Sequence, residues 1–297
     1  MASLKETKQR ISSVRSTLKI TSAMKMVSSA KLHKAQAAIE AMLPYERKLS
    51  GMLSLLLSSS EALAEGGADS RESKLPLDCA AAGEKVAIVA VGSNSSLCGA
   101  FNANVIRETK ARVAQLESEG CRVEVFSVGK KIAEAMKKAG YPSEQELSDL
   151  VAHSSYEASA AFAQSLQDAF ASGKYSRIEL IYNHFVSTAT QKVTLDTYLP
   201  AQFCATAQEP APGAEDIILE PSPEEMLSSL LPKVLSLRVY TVILDSVASE
   251  HAARTVAMQT ATDNGEDILQ ELTLEYNKGR QQKITSEILD IVGGSMQ

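Results

Sequence analysis

There is no tryptophan among these 297 residues, and aromatic residues make up only 5% of the chain. With much Ala, Leu, Ser, Glu and Lys beside them, so few rings favour helix-on-helix packing over a thick sandwich core. Cysteine is also scarce. Cys79, Cys98, Cys121 and Cys204 form no CxxC pair and read as free thiols, most of them buried. His33, His153, His184 and His251 stand apart, none at metal-ligand spacing from another, so no metal is expected. No apolar run approaches the roughly 20 residues that span a bilayer. Lys5, Lys8, Arg10, Arg15 and Lys19 interrupt any secretory leader. These absences predict a cytosolic chain, soluble by itself.

Fingerprints of chemistry are missing too. The stretch after the first predicted strand runs Val91-Gly92-Ser93-Asn94-Ser95-Ser96-Leu97-Cys98-Gly99-Ala100, which is not GxGxxG. No GxxxxGK[ST] occurs, and Gly129-Lys130 lacks its surroundings, so a structural turn is the better reading there. No GxSxG elbow marks a hydrolase. Nothing resembles a helix-turn-helix or a base-stacking aromatic set.

What is present is charge, unevenly placed. The chain carries a net charge of -6, yet residues 1–48 hold ten Lys or Arg against three acids, a local +7. A basic helix on an acidic protein suits nucleic acid, anionic lipid or an acidic protein partner; a solvated helical face explains it as well.

Helical periodicity dominates both ends. Ser3-Leu4-Lys5-Glu6 reads as a capping box, and the pattern runs to about Leu57. Leu4, Ile11 and Leu18 are spaced by seven, with Val14 between the last two. Val27, Ala30, Ala37, Ala41, Leu49, Leu53 and Leu56 extend the stripe, which Pro44 is expected to bend. About 55 residues at 1.5 Å each give roughly 80 Å, a length that needs a coiled-coil partner.

Ser222-Pro223-Glu224-Glu225 starts a second long helix, interrupted only at Pro232 and running almost to Gly293-Gly294. Its seam is expected through Leu244, Val247, Met258, Ala261, Ile268 and Leu272. Ala248, Ala252, Ala253, Ala257 and Ala261 would let a partner helix come close. Both termini feeding one coiled coil requires the helices to run antiparallel.

Between these ends the pattern alternates. Strands are expected at Val86–Val91, Arg122–Val128, Ile178–Tyr182 and Gln191–Tyr198. Helices are expected at Asn102–Ser118, Lys130–Ala139 and Tyr156–Ala171. That order argues a small open α/β sheet, Rossmann-like, with mostly parallel strands. The division is therefore an N-terminal helix at 1–57, a linker at 58–84, an α/β domain at 85–204, a linker at 205–221 and a C-terminal helix at 222–297.

Three stretches carry a resemblance. Leu18-Lys-Ile-Thr-Ser-Ala-Met-Lys-Met-Val-Ser-Ser-Ala-Lys31 looks like the N-terminal signature of rotary ATP synthase gamma subunits. Ser249 to Gly265 (SEHAARTVAMQTATDNG) resembles their C-terminal helix. Ile284-Thr-Ser-Glu-Ile-Leu-Asp-Ile-Val-Gly-Gly-Ser295 is similar to their closing signature, with Ile284, Thr285, Glu287, Asp290 and Gly294 matching and Ser295 where Ala is usual. Leu97-Cys98-Gly99 matches a central turn, although Ser95-Ser96 stand for the usual Arg-Gly.

The resemblance implies a rotor shaft inside a hexamer of alternating alpha and beta subunits. It would couple proton or sodium flow through a membrane ring to ATP chemistry at the beta sites, with no catalytic residue and no cofactor of its own. The central domain would lie against the epsilon subunit and the ring of c subunits, at the cytoplasmic face of a bacterial inner membrane. Residue by residue, the resemblance implies a catch on beta at Arg280 and Gln281, and an N-terminal shaft signature at Lys19, Ile20, Thr21, Met24, Met26 and Val27. It also implies a foot at Glu220. Ile284, Ile288, Ile291 and Val292 share one apolar stripe, read as a bearing tip. Two other classes stand beside it: a coiled-coil adaptor with an unrelated partner, and an enzyme built on the α/β domain.

Overall fold

A computed structural model of the chain describes residues 4–64, 85–143, 145–200 and 222–295. The elements are α1 (Leu4–Ala64), β1 (Lys85–Val91), α2 (Phe101–Ser118), β2 (Arg122–Val128) and α3 (Lys130–Lys138), then α4 (Ser148–His153), α5 (Tyr156–Ala171), β3 (Arg177–Phe185), β4 (Gln191–Leu199) and α6 (Pro223–Ser295). The architecture is the expected α/β one, with long terminal helices and a small mixed sheet. Two compact units divide it: a terminal unit of residues 1–30 with 254–297, and a central unit of residues 31–253.

The long helices are more continuous than their sequence suggests. α1 passes Leu57 and ends at Ala64, because the serines at 58–60 are tolerable helix formers and no glycine or proline intervenes. Pro44 and Pro232 both lie inside helices. Each removes the bond to the carbonyl four residues back, that of Glu40 or Ser228. Both of those residues are exposed, so water can serve the orphaned oxygens. The start of α6 is capped as expected: the Glu225 amide donates to Ser222 Oγ at 3.2 Å. The capping serine expected for α1, Ser3, lies outside the described residues, as do Cys79 and Cys204. Cys98 is buried and Cys121 half-buried, both as free thiols.

In the central unit the sheet order is β2-β1-β3-β4. β1 pairs in parallel with β2 and β3, and β4 closes the edge antiparallel to β3. β1 reads KVAIVAV with no alternation because both of its faces are covered. Ala87, Val89 and Val91 face a core shared with Phe162, Leu166 and Phe170 of α5 and with the central stretches of α1 and α6. Val86, Ile88 and Ala90 face Val105, Val113 and Leu116 of α2 and Ile132 and Met136 of α3. α6 supplies Leu227, Leu231, Leu235, Val239 and Val242 to the first core.

That role explains one departure from the sequence reading. An 18-residue stretch of α6 reaches a mean hydropathy of 1.4, long and apolar enough by composition to cross a membrane. Half of it is buried inside the protein, as expected of a helix that forms one wall of a core. α4, only six residues long, was too short to show a period.

In the terminal unit α1 and α6 form an antiparallel pair. Most inward positions of α1 fall on two heptad series, Leu4, Ile11, Leu18 and Lys25, and Thr7, Val14, Thr21 and Ser28, with Met24 half-buried beside them. Those of α6 do the same, with Met258, Gly265, Leu272 and Gly279, and with Thr255, Thr262, Leu269 and Tyr276. A strict seven-residue repeat on both partners gives a coiled coil. The seam therefore differs from the expected stripes. Val27, Ala30, Ala37 and Ala41 are exposed, and so is Ile268. Polar and small residues hold the positions that an apolar template would assign to them.

Candidate functional site

The terminal unit turns its large apolar residues outward. Of the eighteen large hydrophobic residues exposed among those described, eleven lie in its two helix segments. Among the described residues of this unit, Met258 is the only large apolar side chain that is fully buried. An exposed apolar surface of this kind marks a place where another protein sits.

The expected N-terminal signature splits into two roles. Thr21 faces the partner helix: its hydroxyl donates to the Leu18 carbonyl at 3.1 Å and receives a bond from Thr262 at 2.9 Å. Met24 is half-buried beside it. Lys19, Ile20, Met26 and Val27 point to solvent, with Met26 68% exposed. The outward set mixes charge and apolar surface over barely two turns.

Near the other end, α6 is exposed at every position from Arg280 to Val292. Arg280 and Gln281 are adjacent there, about 100° apart around the helix. Among the described residues no hydrogen bond or ion pair engages either side chain, so both forks face outward. Ile284, Ile288, Ile291 and Val292 line one exposed stripe. Leu289, 65% exposed, widens it and was missed because it falls off the 3–4–7 spacing. Glu220 lies outside the described residues.

Charge separates by helix. Residues 4–30 of α1 carry six Lys or Arg against one acid, whereas residues 254–292 of α6 carry seven acids against four bases. Arg10–Glu6 and Lys283–Glu287 are ion pairs within single helices of these segments. The terminal unit thus has a basic side and an acidic side.

The central crevice has a different character. In open α/β sheets ligands bind beyond the strand ends where the chain order reverses, here between β1 and β3. The groups at that place are taken by one another. Ser93 bonds the Ser95 carbonyl at 2.6 Å and its amide donates to Asn102 Oδ1 at 3.0 Å. Asn94 donates to the Ser148 carbonyl and accepts from the Lys130 amide at 3.1 Å. Gly129, at φ 111°, is pressed so close that a Cβ would meet the Gly92 carbonyl oxygen at 2.7 Å. This glycine serves packing.

Displaced titrations also belong to the central core. Glu179, 1% exposed, is held by Arg112 through Nε at 2.8 Å and by Arg177 at 3.4 Å. The hydrogen bond to Glu179 raises the Arg112 pKa, so the guanidinium stays charged. Burial pushes the Tyr182 hydroxyl up to about 12, and the nearby Asp196 and Asp245 add to it. These groups hold elements together: Asp245 of α6 accepts the Phe185 amide at 2.9 Å and lies 2.6 Å from His184 Nδ1.

A family profile described as ATP synthase matches residues 3–296. The ATP synthase gamma chain of Phocaeicola vulgatus is 51% identical over the whole of both chains. The chain belongs to the ATP synthase gamma-chain family. The gamma chain of Flavobacterium johnsoniae is 45% identical across 99% of this sequence and 98% of its own. Among solved structures, a chain of the Euglena gracilis mitochondrial ATP synthase, in an assembly titled OSCP/F1/c-ring, aligns with a TM-score of 0.63 at 20% identity. It covers 99% of this chain and 93% of that one. At that identity the likeness speaks for the fold. Sequence reading placed Met258 and Leu272 on the seam but missed Gly265 and Gly279, which share their heptad series and are hidden by their small size.

Proposed function

We propose that the chain is the central shaft of a rotary ATP synthase, turning inside a hexamer of alpha and beta subunits and itself catalysing nothing. The observation that carries this reading is the inverted terminal unit, with its apolar residues outside and a thin seam within. Such a unit is suited to a sleeve that covers it from several sides. A shaft with unlike faces touches the surrounding beta subunits unequally. Unequal contact is what lets one component bias another's open and closed states. Turning moves the bias from site to site and so links ion flow through a c ring to synthesis or hydrolysis of ATP.

Within this reading Arg280 and Gln281 form the catch on beta. Arg offers a planar fork of donors suited to a carboxylate, and Gln adds a donor and an acceptor. Ile284, Ile288, Ile291 and Val292, joined by Leu289, form the bearing tip. Lys19, Ile20, Met26 and Val27 form the bearing on α1, while Thr21 and Met24 support it from the seam. Glu220 and the central sheet belong to the foot, against epsilon and the c ring at the cytoplasmic face of the membrane.

The test is reconstitution of the full chain with alpha and beta subunits. The three should co-purify and hydrolyse ATP. Removing residues 288–297 should weaken assembly and leave the circular dichroism of the sheet intact. Arg280→Ala with Gln281→Ala should slow turnover by about ten- to a hundredfold, the worth of one charge-assisted hydrogen bond lost in one rotary state. A double variant that assembles and turns over at the parent rate, fully coupled, would remove the catch from this position.

A further inference from the structure

Two glycines on the seam are occupied by leucines of the opposite helix. A Cβ added to Gly265 would meet Leu18 Cδ2 at 2.7 Å and Cγ at 3.3 Å, and one added to Gly279 would meet Leu4 Cδ2 at 3.2 Å. Glycine inside a helix is a cost, since it gives up more backbone freedom than any other residue. α6 nevertheless places it at two seam positions fourteen residues apart, and the leucines that fill them are also fourteen apart. The Thr21–Thr262 hydrogen bond lies one turn from the first pair in the same antiparallel register.

The heptads alone do not choose this register, because a slip of seven residues preserves every inward position. What tells the registers apart is that here both leucines meet a glycine, although Ile11 stands level with Leu272; after a slip of seven neither leucine does. Sliding one helix by a heptad would bring Leu18 from Gly265 onto Met258 or Leu272, a large residue onto a large one. It would also set Thr21 against Leu269 in one direction, and against Thr255 in the other, where only the leucine–glycine pairs are lost. We infer that Leu18–Gly265 and Leu4–Gly279 are knob-and-hole pairs that lock the stagger of the two helices. They are positioning residues: the stagger decides which outer residues of α6, Arg280 and Gln281 among them, stand level with the bearing on α1. That last step rests on the shaft reading; the lock itself does not.

The experiment uses the full chain with its native cysteines replaced and with Thr21→Cys and Thr262→Cys added as a reporter of register. Oxidation should join the pair rapidly in the parent. Gly265→Ala should slow joining by about tenfold or more, because overfilling a packed contact costs that much. Adding Leu18→Ala should restore the rate to within about twofold, since the new methyl then has room. Gly279→Ala, whose neighbour needs to yield only a few tenths of an ångström, should have the smaller effect. A merely destabilising change would not be rescued by removing a second core side chain. In the complete synthase, with alpha, beta, epsilon and the membrane subunits in sealed vesicles and without the reporter cysteines, protons pumped per ATP should fall in Gly265→Ala and recover with Leu18→Ala. Joining at the parent rate in Gly265→Ala, or no rescue by Leu18→Ala, overturns the lock. Altered joining with unaltered pumping overturns the positioning role. Failure of the parent chain to support pumping at all would count against the shaft reading, and is seen before any glycine is changed.

Discussion

Between Lys31 and Ala253 the large apolar residues lie inside, packed on both faces of a four-stranded sheet, whereas in the terminal unit most of them lie outside and Thr7, Thr21, Ser28, Gly265 and Gly279 share the seam with leucines and isoleucine. The central unit can be understood as a protein folding for its own stability. The terminal unit leaves much of its apolar surface exposed, which the proposed sleeve would cover. Burial of apolar surface is the main force in both, but in the second much of that burial waits for a partner.

The contrast is sharpest under core truncation. Ile88, fully buried between β2 and β3, should cost the lone chain about 3–4 kcal/mol as Ile88→Ala, seen as a lower denaturation midpoint. Arg112→Ala should follow at about 3 kcal/mol, because it leaves the Glu179 carboxylate buried with Arg177 alone. Changing both partners, Arg112→Ala with Glu179→Leu, should recover much of that loss.

In the terminal unit the pattern should invert. Ile288→Ser with Ile291→Ser should leave the lone chain within about 0.5 kcal/mol of the parent. It should weaken assembly with alpha and beta by about 2 kcal/mol, or roughly thirtyfold in affinity. If the lone chain instead lost several kcal/mol, the stripe would be core and the contrast would fail.

The smallest effect concerns pH in the central unit. Burial alone would raise the Glu124 carboxyl, but hydrogen bonds from Lys85 and Tyr175 and the charge of Lys174 outweigh it and hold the group below its ordinary 4.5. A depressed carboxylate adds stability above 4.5, and that part is lost as pH falls through the lower folded value. Glu124→Gln should therefore flatten the acid side of the stability curve, by about 0.5 kcal/mol given how much solvent reaches the lysines. Denaturant midpoints of both chains from neutral pH down to the acid limb would measure it.

How much of this was legible beforehand followed the same divide. The strands and helices of the sheet could be read because β1 and its neighbours are covered on both sides, which writes an unbroken apolar run into Val86–Val91. The antiparallel turn of β4 was not, since nothing in Gln191–Leu199 records which way its neighbour runs. The long helices were legible as helices, but their seam only in part: Leu4, Ile11, Val14, Leu18, Met258 and Leu272 were read correctly. Lys25 and Ser28 hold inward positions while Val27 and Ala30 face out, so an apolar template left the seam beyond Leu18. Ile20, Met26 and Val27 of the terminal signature are exposed, and periodicity within this chain gives no reason for apolar residues there.

The most direct measurement of the central claim is rotation of the chain in its complex. With the alpha–beta hexamer fixed to a support, a probe attached through Lys110→Cys on exposed α2 would report the motion of the chain as ATP is hydrolysed. The shaft account predicts sustained rotation in one direction that slows as ATP becomes limiting and stops when it is removed. Hydrolysis at the full rate with the probe standing still would contradict it.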